Sequence, residues 1–281
     1  MSLIQKFHCC HALEYFSLLF LAIVLAFSLT LTASGAVTVD DLTYLMELSP
    51  GEVYRDYIEV KNTGRSAERV SIYLTDYTLT RDGAARYPDA GSLPRSNAGW
   101  IALDVDPKPV EIPGGETIRV PYTVRVPENE DLAGTYWSMV NVIVEPSTGI
   151  EESSEFHIKQ TFGYGIQTIT NIGESGERMV KILGLEREKR GGENFLRVKV
   201  KNTGERMLEP VVSLELYDRK GELRSTGNNL NGKKIIYPDS STSYRVPVGI
   251  NEPGRYEALL IVNNLDRYVW GTQTTVEISP E

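Results

Sequence analysis

The chain has 281 residues, 41% apolar and 24% charged, a folded composition long enough for one large domain or two ordinary ones. A net charge of -9 excludes non-specific attraction to nucleic acid or to an anionic membrane surface. Two Cys (Cys9, Cys10) and three His (His8, His11, His157) exclude a Cys-rich zinc domain and a disulfide scaffold.

The first element is an export signal. Lys6 precedes an apolar run from Phe16 to Leu31, and the small residues Ala33-Ser34-Gly35-Ala36 come after it. This pattern predicts a signal peptide over 1–36, cut after Ala36. The rival reading is an uncleaved anchor, because the run approaches bilayer-spanning length. Membrane attachment is expected only in that case, and the expected location is periplasmic or extracellular. Both Cys lie in this segment, so the chain from 37 to 281 must be stable on its hydrophobic cores alone.

Strand patterns dominate residues 37–281. From Thr117 to Val126, Ile118, Val120, Tyr122, Val124 and Val126 alternate with Thr117, Arg119, Pro121, Thr123 and Arg125. Period two marks a strand with one face in a core. Pro121 predicts an edge strand, since it cannot donate to a ladder. Leu196, Val198 and Val200 alternate with Arg197, Lys199 and Lys201 in the same way. Turn signals such as Pro50-Gly51, Pro113-Gly114-Gly115 and Gly191-Gly192 separate the runs.

An internal repeat sets the domain count. Glu59-Val60-Lys61-Asn62-Thr63-Gly64 recurs as Lys199-Val200-Lys201-Asn202-Thr203-Gly204, Arg119-Val120-Pro121 as Arg245-Val246-Pro247, and Gly134-Thr135-Tyr136 as Gly254-Arg255-Tyr256, in the same order. The expected fold is all-β: two tandem immunoglobulin-like β-sandwiches, 37–170 and 171–281, after the signal peptide. Each repeated Tyr is either a tyrosine corner bonded back to the main chain or simply core. Within the first sandwich, Asp76–Gly99 is a long polar excursion, read as a tolerated connection.

Catalytic constellations are missing from the sequence. His157 has no nucleophile signature near it, and no glycine-rich loop opens a helix. Nothing singles out two carboxylates as a glycosidase pair. Glu151, Glu152 and Glu155 lack the spacing of a calcium loop and read as a solvated cluster. No enzyme activity, catalytic residue, cofactor or metal is expected.

Binding is the expected function, and two strands stand out. From Phe156 to Ile169, Phe156, Ile158, Gln160, Phe162, Tyr164 and Ile166 alternate with His157, Lys159, Thr161, Gly163, Gly165 and Gln167. As the last strand of the first sandwich, it is a candidate edge for strand addition by a partner. The competing reading gives its apolar face to the core. The second strand, Thr135–Glu145, is apolar on both faces, with Trp137, Met139 and Ile143 opposite Tyr136, Val140, Val142 and Val144. Its second face must meet the other domain, a loop or a partner. Partner-binding candidates are therefore Phe156, Ile158, Lys159, Phe162, Tyr164, Trp137 and Met139. The alternative partner is cell-wall polysaccharide or a host surface, for which Trp100, Trp137 and Trp270 are the aromatic candidates.

Further motifs carry a resemblance: Ser49-Pro50-Gly51-Glu52, Val60-Lys61-Asn62-Thr63-Gly64, Ser96-Asn97-Ala98-Gly99-Trp100-Ile101, Ile112-Pro113-Gly114-Gly115-Glu116, Val124-Arg125-Val126-Pro127 and Gly134-Thr135-Tyr136-Trp137. Over about residues 45–170 the chain resembles the first domain of periplasmic pilus chaperones of the PapD-like superfamily. It is also similar to the peptidoglycan-binding domain of WxL-type surface proteins. The chaperone resemblance implies that Phe156, Ile158, Phe162 and Tyr164 are lent to an incomplete subunit. It also implies a basic anchor for that subunit's carboxyl terminus, for which Lys159 is the only basic residue on the strand.

Overall fold

A computed structural model describes residues 37–79, 84–145, 161–230 and 232–278. The predicted signal peptide, His157 and the Glu151, Glu152 and Glu155 cluster lie outside them. Strands are numbered in chain order. Side-chain alternation decides their faces: in β9 (Thr117–Arg125), Val120, Tyr122 and Val124 are buried while Arg119, Pro121 and Arg125 are exposed. Each such aliphatic burial contributes about 1.5–3 kcal/mol.

In the first sandwich, one sheet has the order β1 (Val37–Val39), β3 (Val53–Asn62), β9, β7 (Ile101–Leu103). The facing sheet has the order β2 (Thr43–Leu48), β11 (Phe162–Ile172), β10 (Gly134–Val144), β4 (Glu68–Thr75), β8 (Val110–Ile112). Ile58, Val60, Val120 and Tyr122 meet Val70, Ile72, Val140, Val142 and Ile166 between them. The chain changes sheet at Asp40–Leu42, so β1 pairs antiparallel with β3 and β2 pairs parallel with β11. The excursion after β4 holds a small hairpin, β5 (Thr78–Leu79) and β6 (Ala85–Arg86). Asp76 organises the rest of it: the buried carboxylate accepts from the Gly91 and Leu93 amides and the Ser92 and Ser96 hydroxyls.

The second sandwich has one sheet ordered β12 (Val180–Arg190), β13 (Glu193–Asn202), β16 (Ser241–Pro247). Its other sheet is β15 (Leu223–Asn228), β14 (Val211–Tyr217), β17 (Gly254–Asn263), β18 (Val269–Ile278). Val198, Val200, Tyr244 and Val246 face Val212, Leu214, Leu260 and Val262.

The repeat has a physical cause. Asn62 and Asn202 end β3 and β13, both fully buried. Asn62 Nδ2 donates to the Ser66 and Ile112 carbonyls, and its Oδ1 accepts from the Gly64 amide. Asn202 makes the same three bonds, to the Arg206 and Ile236 carbonyls and from Gly204. Each turn folds over its buried Asn, and one side-chain amide supplies both donors and an acceptor to the main-chain groups turned inward. The repeated Tyr residues diverge. The Tyr256 hydroxyl donates to the Glu252 carbonyl at 3.1 Å, a tyrosine corner, whereas Tyr136 packs on Trp100 with centroids 4.6 Å apart.

Two expectations need correction. β9 is paired on both sides and is not an edge. Pro121 is tolerated because its backbone faces the β7 side just past the end of β7, where its carbonyl accepts from the Asp104 amide. The first sandwich also runs past residue 170, since Asn171 and Ile172 complete β11.

The sandwiches share a small third core. Trp137 and Ile169 of the first are packed with Tyr237 of the second, flanked by Tyr77, Met207 and Ile235. Polar bonds surround it. The Thr135 amide donates to the Glu205 carbonyl, and the Met207 amide donates to Thr135 Oγ1. The Tyr237 hydroxyl donates to Gln167 Oε1. Buried Arg206 pairs with Glu47 at 2.7 Å and donates to the Gly173 and Ser175 carbonyls. Gly134, at φ 77, is needed here: a side chain would run into the Glu205 carbonyl.

Candidate functional site

β11 is paired with β10 along its whole length, from Phe162 opposite Val144 to Ile172 opposite Gly134. On its other side β2 covers only Gln167–Ile172. Among the described residues no strand pairs with Phe162–Ile166 on that side.

The ladder shows which peptide groups are left open. The Gln167 amide donates to the Leu42 carbonyl at 2.9 Å, and the Gly173 amide to the Leu48 carbonyl at 3.0 Å. A strand residue sends its N–H and C=O to one side, and the next residue sends them to the other. The open side of Phe162–Ile166 therefore presents the peptide groups of Gly163 and Gly165. Both glycines are exposed. Their bareness serves β10: a Cβ on Gly165 would lie 2.5 Å from Met139 Sδ, and one on Gly163 would strike Ile143 Cδ1. Glycine in a strand marks a close approach, here by side chains on one flank and with room for another backbone on the other.

Phe162 and Tyr164 occupy the opposite face. Phe162 is 49% exposed. Tyr164 is half-buried against the first core, and its hydroxyl donates to the Val37 carbonyl at 2.8 Å. Leu42, 52% exposed, stands where β2 begins. Beside it, Tyr44 donates to Asp40 Oδ1 at 2.8 Å; burial first, and then that bond, raise the Tyr44 hydroxyl well above the usual phenol range.

The other predicted site residues fall elsewhere. Phe156, Ile158 and Lys159 lie outside the described residues. Trp137 and Met139 are corrected, since both are buried, at 8% and 4% exposure. Trp137 stacks on Tyr237 at 4.5 Å, and its indole N–H donates to the Tyr77 carbonyl at 2.7 Å. At Trp137 the second apolar face of β10 thus meets the second sandwich and the excursion together. Trp100 packs against the first core and Trp270 against the second, so the three tryptophans form no exposed aromatic face. Gly163, Gly165, Asp40, Asp41 and Leu42 were missed as site residues. The alternation of glycine within an apolar strand was the available signal.

Among the described residues β18 also has no strand on one side. Its middle is polar, Thr272-Gln273-Thr274-Thr275, and Arg187 of β12 donates to the Glu277 carbonyl there. β18 carries its one strongly exposed apolar side chain, Val269, at its start, whereas the open part of the β11 edge lies between exposed Phe162 and exposed Leu42.

No family model and no curated protein sequence matches the chain. Solved structures similar to it include a chain of a chaperone–tip adhesin complex of CFA/I fimbriae, 11% identical over 86% of this chain and 98% of that one, TM-score 0.46. The class 5 fimbriae chaperone CfaA is 12% identical over 87% and 100%, TM-score 0.42. A chain of the SafA pilin–SafB chaperone complex of Salmonella enterica is 11% identical over 88% and 98%, TM-score 0.42. Fimbrial chaperones are thus among the proteins this chain is similar to.

Proposed function

We propose that this protein is an exported, non-enzymatic assembly chaperone of the cell envelope that holds another protein by strand addition at β11. The observation that carries this reading is the open edge at Phe162–Ile166, where the peptide groups of Gly163 and Gly165 face outward between exposed Phe162 and Leu42. An unpaired edge offers main-chain hydrogen bonds for affinity and alternating side chains for selectivity. Phe156, Ile158 and Lys159 extend the same alternation upstream in sequence. Export rests on the predicted signal peptide.

In-cell photo-crosslinking from position 162 tests this. One exported protein should be caught repeatedly from position 162 and not from position 215, on the second sandwich. With the crosslinker placed at position 42 instead, Phe162→Glu should abolish capture while the protein stays folded. An empty result from a folded, exported protein would show that the edge is closed.

A further inference from the structure

Resting on the strand-addition reading and deepening it, we infer that the partner segment is an apolar extended strand with a basic residue where it comes beside Gly165. β2 occupies the same side of β11 from Gln167 onward and runs parallel to it. An added strand would therefore lie end to end with β2. The residue before Leu42 is Asp41, and Asp40 precedes it, its amide already bonded across to the Glu59 carbonyl of the facing sheet. The crossover closes the open stretch with two consecutive exposed carboxylates.

Their local bonds leave the charge uncompensated. Asp41 Oδ1 accepts from the Leu42 and Thr43 amides, and Asp40 Oδ1 accepts from the Tyr44 hydroxyl and the Glu59 amide. The ion pairs among the described residues include neither aspartate. An acidic or carboxylate-ended strand would be repelled there, and a lysine, arginine or free amino terminus attracted. Exposed Phe162 and Leu42 set the rest of the segment's chemistry, because its alternate side chains come to lie along them. The other flank, at Gly163 and Gly165, offers no side chain of its own.

The test uses purified protein and short synthetic peptides of alternating Val and Thr, ending in a Lys, Gln or Glu pair at one end or the other. Binding is read from the NMR amide signals of Gly163 and Gly165. All the peptides should shift these signals. A Lys pair at one end should tighten binding roughly fivefold over Gln at low salt, as exposed ion pairs do. High salt should erase the gain. In Asp40→Asn/Asp41→Asn, which keeps both Oδ1 acceptors, the Lys-over-Gln gain should vanish. Equal affinity for Lys, Gln and Glu peptides would overturn the basic-end inference and leave strand addition standing. Failure of every peptide to shift Gly163 and Gly165 would sink strand addition itself. Slow exchange of those two amides in the peptide-free protein would do the same, as the edge would already be held by this chain or a second copy.

Discussion

Asn62 and Asn202 are the residues on which each sandwich turn depends. Asn62→Ala leaves the buried Ile112 carbonyl, the part-buried Ser66 carbonyl and the Gly64 amide without their partner. The expected loss is roughly 2–4 kcal/mol in urea unfolding, with a similar loss for Asn202→Ala. Asn62→Asp should be worse, since it keeps the acceptor but sets a charge against the Ser66 and Ile112 carbonyls. The buried tyrosines set the alkaline limit. Burial raises the hydroxyls of Tyr122, Tyr237 and Tyr244 far above the ordinary phenol value of 10.0. Unfolded, they ionise near that value; folded, they stay protonated. Their contribution to stability is therefore complete below about pH 10 and declines as pH rises beyond it, by about 1.4 kcal/mol per pH unit for each. Phenolate absorbance should appear in two steps, the second coinciding with unfolding. Complete ionisation before unfolding would contradict this.

At the scale of the element, β11 changes its surroundings halfway. Among the described residues its upstream half has one paired side, and its downstream half has two. Hydrogen exchange should report this residue by residue: Gly163 and Gly165 fast, Gln167 slow because its amide is bonded to Leu42. Uniform protection would show an unseen partner on the edge. Gly165→Val should cost about 1–3 kcal/mol by pushing Met139 aside. Phe162→Glu, at a half-exposed position, should change stability by no more than about 0.5 kcal/mol. The two substitutions, three residues apart, separate what the strand does for the fold from what it offers outside.

Across the whole molecule, the sandwiches are held by an apolar contact inside a ring of polar bonds. Trp137 is its centre, touching Tyr237 of one sandwich and the Tyr77 carbonyl of the other. Trp137→Ala should cost about 3–5 kcal/mol. It should also split one cooperative calorimetric transition into two and raise the radius of gyration in solution scattering. A single transition of unchanged shape would mean that Arg206, Glu205 and Thr135 suffice to couple the halves.

The amino-acid sequence alone determined the all-β class, the alternating core faces and the twofold repeat, because period-two burial and buried-turn chemistry are local properties. Val120, Tyr122 and Val124 face the core for reasons visible within one strand, and Asn62 and Asn202 do the same work because the same turn surrounds each. Pairing was not legible, because hydrogen-bond partners are chosen between segments far apart in the chain. So Pro121 read as an edge residue, although β9 lies between two strands, and the sequence left open whether Trp137 and Met139 meet the second domain, a loop or a partner, where the structure buries both and packs Trp137 on Tyr237. Only the tertiary structure decided that β2 stops at Gln167, leaving two glycine peptide groups open beside Asp40 and Asp41. That limit comes from where the crossover at Asp40–Leu42 delivers the chain to the second sheet, which no local pattern encodes.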